Sequence, residues 1–237
     1  MSKLVLSLFP GIGLLDMAFE QEGFCVVRGP DELWGGDIHA FHPPPNKFDG
    51  VIGGPPCQSF SSLRKLVAAK GHRTAPNLIP EFERCIGEAR PDWFLMENVR
   101  FAPLPVVPDY AVKATLLNAR SCGSKQNRVR RFSFGVRGEQ PINLLAFVET
   151  CALEPIEFEY AVLAGHGPTP GFRDRNNAKL WHTVEKMIEL QGLPKGFLDH
   201  APFTSTGKRK VIGNGVPLLM GRAVARAVQQ ARKKMTP

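Results

Sequence analysis

An α/β fold built on a mostly parallel sheet is the class the sequence predicts, and three observations predict it. Short apolar runs that read as strands alternate with segments of helical periodicity, and a glycine turn directly follows the first run. The composition, 43% hydrophobic and 22% charged, is that of an ordinary soluble globular chain. Alternation of this kind places helices on both faces of the sheet and makes the crossovers right-handed. A length of 237 residues supports one good core and a small appendage.

The elements follow in order. Leu4 to Phe9 carries the first strand signal, Pro10-Gly11-Ile12-Gly13 a tight turn, and Leu14 to Glu22 a helix. Cys25-Val26-Val27 reads as a second strand, and Gly36-Asp37-Ile38 puts an acidic side chain near a strand end. Phe48 to Ile52 is a short buried strand that leads into Gly53-Gly54-Pro55-Pro56-Cys57. Pro80 to Ala89 is helical, with Phe82, Cys85, Ile86 and Ala89 on one face, and Asp92 to Met96 is another buried strand, ending in Glu97-Asn98. Gln126 to Arg131 precedes the strand Phe132 to Gly135. From Arg137 to about Leu180 periodicity fades and Pro and Gly accumulate, which marks a small loop-rich insert. A helix from His182 carries Val184, Met187, Ile188 and Gln191 at helical spacing, and a polar loop follows. After Val211 to Pro217, a last helix runs to Lys234, with Pro217 in its first turn and Leu218, Val224, Ala225 and Val228 on its apolar face.

A formal charge of +8 favours a polyanionic partner, through neutralisation of phosphates and release of their counterions. Positive charge gathers at Arg64-Lys65 with Lys70 and Arg73, at Lys125 to Arg131, at Arg173, Arg175 and Lys179, and at Lys208-Arg209-Lys210. All of these stretches are loop-like, which favours a nucleic acid over a merely solubilising surface. No apolar run approaches the roughly 18 residues that span a bilayer, and Met1-Ser2-Lys3 runs straight into a strand, so a cytoplasmic protein without membrane contact is expected. The five cysteines show no C-x-x-C pair, so neither a disulfide framework nor a metal site is expected.

Three pieces of the chain carry chemistry. Cys57 lies on a Gly-Pro turn at the carboxyl end of a buried strand, where open α/β sheets bind ligands, and it reads equally as a presented nucleophile or an inert core thiol. Glu97 ends a parallel strand and can face the same crevice; alone it is an ordinary strand-end glutamate, but beside Cys57 it completes a nucleophile and a proton donor. Arg128 and Arg130 alternate on one side of an extended segment, with Arg131 on the other, and are suited to binding phosphate and fixing a base. The turn at Gly11 and Gly13 lacks the third glycine of a dinucleotide fingerprint, because Asp16 takes its place. A ligand with one ribose and no phosphate suits such a turn, with Phe9 packing on a flat or cationic part of it.

In this order the motifs resemble those of the cytosine-5 DNA methyltransferases. The matching pieces are Phe9 to Gly13, Gly36-Asp37-Ile38, Gly54 to Ser61, Glu97-Asn98-Val99, Gln126 to Arg130, Gln191-Gly192-Leu193-Pro194 and Gly213-Asn214-Gly215-Val216-Pro217. The resemblance implies a Rossmann-like methyltransferase sheet with one antiparallel strand, S-adenosyl-L-methionine as cofactor, and a cytosine rotated out of double-stranded DNA as substrate. It implies a catalytic, cofactor-binding domain over 1–136, a target-recognition region over 137–181, and a C-terminal segment over 182–237 whose last helix returns to the catalytic domain. Cys57, Glu97, Arg130, Arg128 and Asn98 become the catalytic residues. Phe9, Gly11, Gly13, Asp31, Asp37, Ile38, Pro56, Leu78, Asn214 and Val216 become the cofactor-binding set, with Asp31 assigned to the ribose and Glu32 close behind. Departures from the family pattern are Lys125 where proline is common, Glu185 where arginine is usual, and Arg28-Gly29-Pro30 before the ribose acid. The short insert implies a short recognition sequence, read by residues such as Arg173, Arg175, Asn176 and Asn177. A monomer is expected, and a cognate restriction endonuclease in the same cell is a partner the resemblance allows. An RNA cytosine methyltransferase on the same scaffold, an inactive nucleic-acid-binding homologue and a nicotinamide-dependent oxidoreductase stand as alternatives.

Overall fold

A computed structural model describes residues 3–56, 76–151, 158–164 and 182–235. The strands are β1 (Leu4–Leu8), β2 (Cys25–Arg28), β3 (Gly50–Gly53), β4 (Trp93–Asn98), β5 (Tyr110–Asn118), β6 (Gln126–Asn127), β7 (Val129–Arg137) and β8 (Glu159–Tyr160). The helices are α1 (Leu14–Gln21), α2 (Ile79–Ala89), α3 (Val184–Gln191), α4 (Ser205–Asn214) and α5 (Leu218–Met235). Six strands form one sheet in the order β2-β1-β3-β4-β7-β5, and β6 pairs with β8 beside it. Within the six, β2, β1, β3 and β4 are mutually parallel, while β7 runs antiparallel to both β4 and β5. This is the mostly parallel sheet with one antiparallel strand that the sequence leads one to expect.

The central strands are apolar because both of their faces are covered. On one face Phe19, Trp93, Phe134, Val224 and Val228 join α1 and α5 to the sheet. On the other, Leu6, Val51, Phe94 and Met96 meet Phe82, Cys85, Ile86 and Ala89 of α2, the helix face read from the sequence. Burying each of these large side chains contributes about 1.5–3 kcal/mol. A third cluster joins Leu14 and Val162 to Met187, Ile188 and Leu190 of α3 and Ile212 of α4. The last helix is held to the first by charge as well as packing, since Glu22 accepts from Arg222 at 2.7 Å and from Arg226 at 2.8 Å.

Several elements differ from the sequence reading. β4 continues through Glu97 and Asn98, because β7 pairs with both, through Phe132 and Arg131. β5 is a strand that hydrophobic alternation does not reveal, since Lys113 and Leu116 are both exposed within it. Asp37 does not follow a strand: residues after β2 form a 3-10 turn, Glu32–Trp34, capped by Asp31, and among the described residues no strand lies between β2 and β3. The stretch before Val211 is helical, with the Thr204 hydroxyl accepting from the Gly207 amide at its start. The segment after β7 returns to the main core, where Leu144 of the 3-10 turn Leu144–Phe147 is 1% exposed. Among the described residues no helix is long and apolar enough to cross a membrane.

Gly50 marks the tightest packing in the sheet, because a β-carbon there would lie 2.1 Å from Trp93 Cζ2. Gly50→Ala is expected to destabilise the fold by about 1–3 kcal/mol and to lower the thermal midpoint by several degrees. Circular dichroism melts of the two proteins measure this directly.

Candidate active site

The carboxyl ends of β1, β3 and β4 lie side by side, and the turn that leaves β3 brings Gly54 to Glu97 at the end of β4. Glu97 is 8% exposed, and its Oε1 lies 2.9 Å from Nε of Arg130 on the antiparallel neighbour β7. Gly54, on the turn after β3, faces the same carboxylate: a β-carbon at Gly54 would lie 3.3 Å from Glu97 Oε2. The turn is tied down by the next residue, since Asn98 Nδ2 donates to the Pro55 carbonyl at 3.1 Å. Asn98 also accepts from the Val99 amide at 2.8 Å, so both ends of its amide are engaged with backbone. It positions the turn that leads to Cys57. Cys57 itself lies outside the described residues, as do Arg173, Arg175, Asn176 and Asn177.

Burial pushes the Glu97 carboxyl above the ordinary glutamate range, against the opposing pull of the Arg130 and Arg128 guanidinium groups. A carboxyl held this way retains a proton more readily than a solvated one, which suits hydrogen-bond donation to a ring nitrogen.

Arg128 has a different task from the one its spacing implies. Its guanidinium is buried, at 1% exposure, and donates to the carbonyls of Val162, of Gly213 at 2.7 Å and of Gly215 at 3.0 Å. The ladder is interrupted at Arg128, between β6 and β7, so the two-residue period that would place it beside Arg130 does not hold across the break. A guanidinium committed in this manner holds three segments together and is not presented to a phosphate. Arg131 donates to the Ala102 carbonyl.

At the carboxyl end of β1 the chain turns sharply. Phe9, Gly11 and Gly13 all have positive φ, of 56°, 56° and 79°. A β-carbon at Gly11 would meet nothing within 4 Å, which leaves the backbone open to close approach by a ligand. Asp31 holds this turn, because its Oδ2 accepts from the Gly11 amide at 2.7 Å while its Oδ1 accepts from Leu33 at 2.8 Å. Each oxygen keeps a second lone pair for a hydroxyl. Phe9, Ile38 and Leu78 pack in one apolar cluster, whereas Val216 is buried in the core on the opposite face of the sheet. Asn214 is exposed at the end of α4, and Gly215 beside it packs on Leu14, where a β-carbon would come within 2.5 Å. Pro56 is half-buried on the turn after β3, and Asp37 is exposed, with its Oδ1 accepting from His39 at 2.9 Å.

Sequence reasoning missed two contributors. Asp16, in the place of the third glycine, is fully buried and accepts from Ser7 Oγ at 2.5 Å and Arg28 Nε at 3.0 Å, and burial raises its pKa. Trp34 Nε1 donates to the Gly11 carbonyl at 2.7 Å and its ring packs on Phe203, 5.7 Å between centroids. A tryptophan set between Gly29-Pro30 and Gly35-Gly36 is the signal the sequence holds.

A parallel sheet with one antiparallel strand and a paired carboxylate and arginine at its ligand-binding end defines a Rossmann-like methyltransferase fold. The S. pombe Dnmt2 methyltransferase shares it, with a TM-score of 0.64 over 100% of both chains at 13% identity. Within that class the comparisons narrow to one family. The family model described as C-5 cytosine-specific DNA methylase matches residues 32–103. The Type II methyltransferase M.AquIA of Picosynechococcus sp. is 32% identical over 183 residues, 58% of this chain and 73% of that protein. The Type II methyltransferase M.NgoPII of Neisseria gonorrhoeae is 31% identical over 172 residues, 58% of this chain. The chain belongs to the C-5 cytosine-specific DNA methylase family. It spans about half the length of the curated relatives it matches first, 49% in the case of M.NgoPII.

The Glu97 environment has a measurable consequence. A carboxyl whose pKa is raised by folding contributes stability that is fully present below the unfolded value near 4.5 and is lost as pH rises through the folded value. The stability of the native protein relative to Glu97→Gln is therefore expected to decline with pH above about 4.5. Urea titrations of both proteins across that range give the slope and its sign.

Proposed function

We propose that this protein methylates C5 of a cytosine rotated out of a short double-stranded DNA sequence, by way of a covalent adduct between Cys57 and C6. The observation that carries this reading is the buried Glu97 and Arg130 pair, set against the Gly54-Pro55-Pro56 turn that leads directly to Cys57. The whole order of family motifs around it supports the same reading, as do curated relatives described as Type II methyltransferases.

The residues fit S-adenosyl-L-methionine. Open space over Gly11, the apolar cluster of Phe9, Ile38 and Leu78, and the Asp31 carboxylate would receive its methionine portion, its adenine and its ribose in turn. Asp37 and Asn214 would complete the set at the rim, with Pro56 beside the donor. When bound, the cofactor supplies an electrophilic methyl group on a sulfonium centre.

The remaining chemistry belongs to the chain. C5 of cytosine is a poor nucleophile, so the Cys57 thiolate adds to C6 and pushes electron density towards C5. Glu97 donates its proton to N3 as that density builds, and its burial, which raises its pKa, favours the protonated form. Arg130 holds the Glu97 carboxylate and orients the base. Once C5 has taken up the methyl group that the cofactor would supply, loss of the C5 proton to a base expels the Cys57 thiolate, and return of the N3 proton to Glu97 restores the aromatic ring. The base must leave the stack first, at a cost of a few kcal/mol. The loop-rich region over 137–181 is the candidate for reading sequence, and the basic stretch from Ser59 to Arg73 for clamping the backbone.

Cys57→Ser is expected to abolish methyl transfer while retaining cofactor binding, because a hydroxyl at neutral pH is far less nucleophilic than a thiolate. Glu97→Gln is expected to lower kcat by roughly 10²- to 10⁴-fold. Incorporation of labelled methyl groups into duplex DNA and into folded RNA, with calorimetric titration of the cofactor, measures both. Near-native turnover by Cys57→Ser would overturn the covalent mechanism.

A further inference from the structure

The β-turn that follows Glu97 and Asn98 has no part in the chemistry above, yet it is built to present two side chains. The Ala102 amide donates to the Val99 carbonyl at 3.1 Å, which closes a four-residue turn with Arg100 and Phe101 at its tip. Phe101 is 72% exposed, and no other aromatic among the described residues is as open to water. The Arg100 guanidinium carbon lies 5.6 Å from the centroid of that ring, a cation over an aromatic face.

The base of the turn is rigid. Asn98 holds Val99 and the Pro55 carbonyl, and Arg131 from β7 donates to the carbonyl of Ala102, which is fully buried. Further along, Glu83 Oε1 accepts from the Val106 amide at 2.7 Å, and Pro103 and Pro105 stiffen the chain between. A fold that anchors both ends of a turn while leaving a phenylalanine at its tip in water has paid no entropy to a later partner that it had not already lost in folding. The turn starts two residues after Glu97, and so leaves the same carboxyl end of β4.

The geometry points to Phe101 as the residue that stacks on nucleobases beside the target cytosine, with Arg100 neutralising an adjacent phosphate. This rests on the reading of the crevice as a DNA methyltransferase site. An aromatic face joined to a guanidinium matches the two surfaces a nucleic acid offers, base plane and phosphate, better than it matches an apolar protein surface. Apolar side chains inserted at base steps are a general device for filling or opening a gap in the stack, and removing a base from a duplex leaves such a gap.

The test uses the full chain and fluorescence anisotropy on a mixed-sequence duplex and on the same duplex carrying one abasic site. The native protein is expected to prefer the abasic duplex, Phe101→Ala to lose roughly tenfold or more of that preference, and Phe101→Trp to keep it. Arg100→Gln is expected to weaken binding to both duplexes and to reduce the slope of log K against log salt by about one. Equal behaviour of Phe101→Ala and the native protein on both duplexes would overturn the proposal and assign the turn to some other surface. Methyl transfer by the native protein is measured in parallel: its absence would count against the enzymatic reading, while the anisotropy comparison still decides the role of Phe101.

Discussion

A guanidinium removed from water governs how the chain closes on itself. Arg128 is 1% exposed, and a buried cation is tolerated only where acceptors surround it. The acceptors are the backbone carbonyls of Val162, Gly213 and Gly215, from segments far apart in sequence. Two glutamines extend the knot. Gln191 donates to Ile212 at 2.7 Å and Gly215 at 3.1 Å, and Gln126 donates to Leu190 at 2.8 Å while accepting from Val162 at 3.1 Å. The approach is so close that a β-carbon on Gly213 would fall 2.3 Å from the Ala164 nitrogen. The part of the insert around Val162, the α4 to α5 turn and the start of β7 are therefore fixed relative to one another before any ligand arrives.

That anchoring explains the division of labour among three neighbouring arginines. Arg128 ties the C-terminal segment, Arg130 faces the Glu97 carboxylate, and Arg131 holds the turn after β4. Because β7 pairs with β4 through Glu97 and Asn98, the register that places Arg130 also determines where Glu97 points. A slip of one residue would send every side chain of β7 to the other face of the sheet. The carboxylate and its cation are thus set by strand pairing rather than by the flexible reach of two long side chains, and that is why burial can raise the Glu97 pKa without leaving the charge unpartnered.

The sheet was legible where burial alone dictates sequence. β1, β3 and β4 are apolar runs because both of their faces are covered, and α2 and α5 carry the amphipathic spacing of surface helices. Legibility failed where local structure is set by single polar contacts. α4 begins on a Thr204 cap ahead of glycine and lysine residues, which by composition read as a loop. β5 carries a lysine at its centre because it is an edge strand with one partner. At the site, Glu97 and Arg130 could be brought together from motif order. The commitment of Arg128 could not, because its acceptors are backbone groups that leave no trace in sequence.

The connections that leave the parallel strands are where this crevice gets its walls, and two of them carry no α-helix. After β2 only a 3-10 turn precedes the Asp37 loop, and after β4 a proline-containing stretch leads to β5 with no helix between them among the described residues. Short connections bury less apolar surface, so their order has to come from hydrogen bonds to side chains: Asp31 on Gly11, Trp34 on the Gly11 carbonyl, Asn98 on Pro55 and Arg131 on Ala102. Each such bond contributes only about 1 kcal/mol to stability, yet together they fix the backbone at the carboxyl ends of β1, β3 and β4. Helix packing would have spread that task over many replaceable apolar contacts. Here it falls on a few polar side chains, so the residues that shape the crevice and the residues available to act in it are drawn from the same short turns.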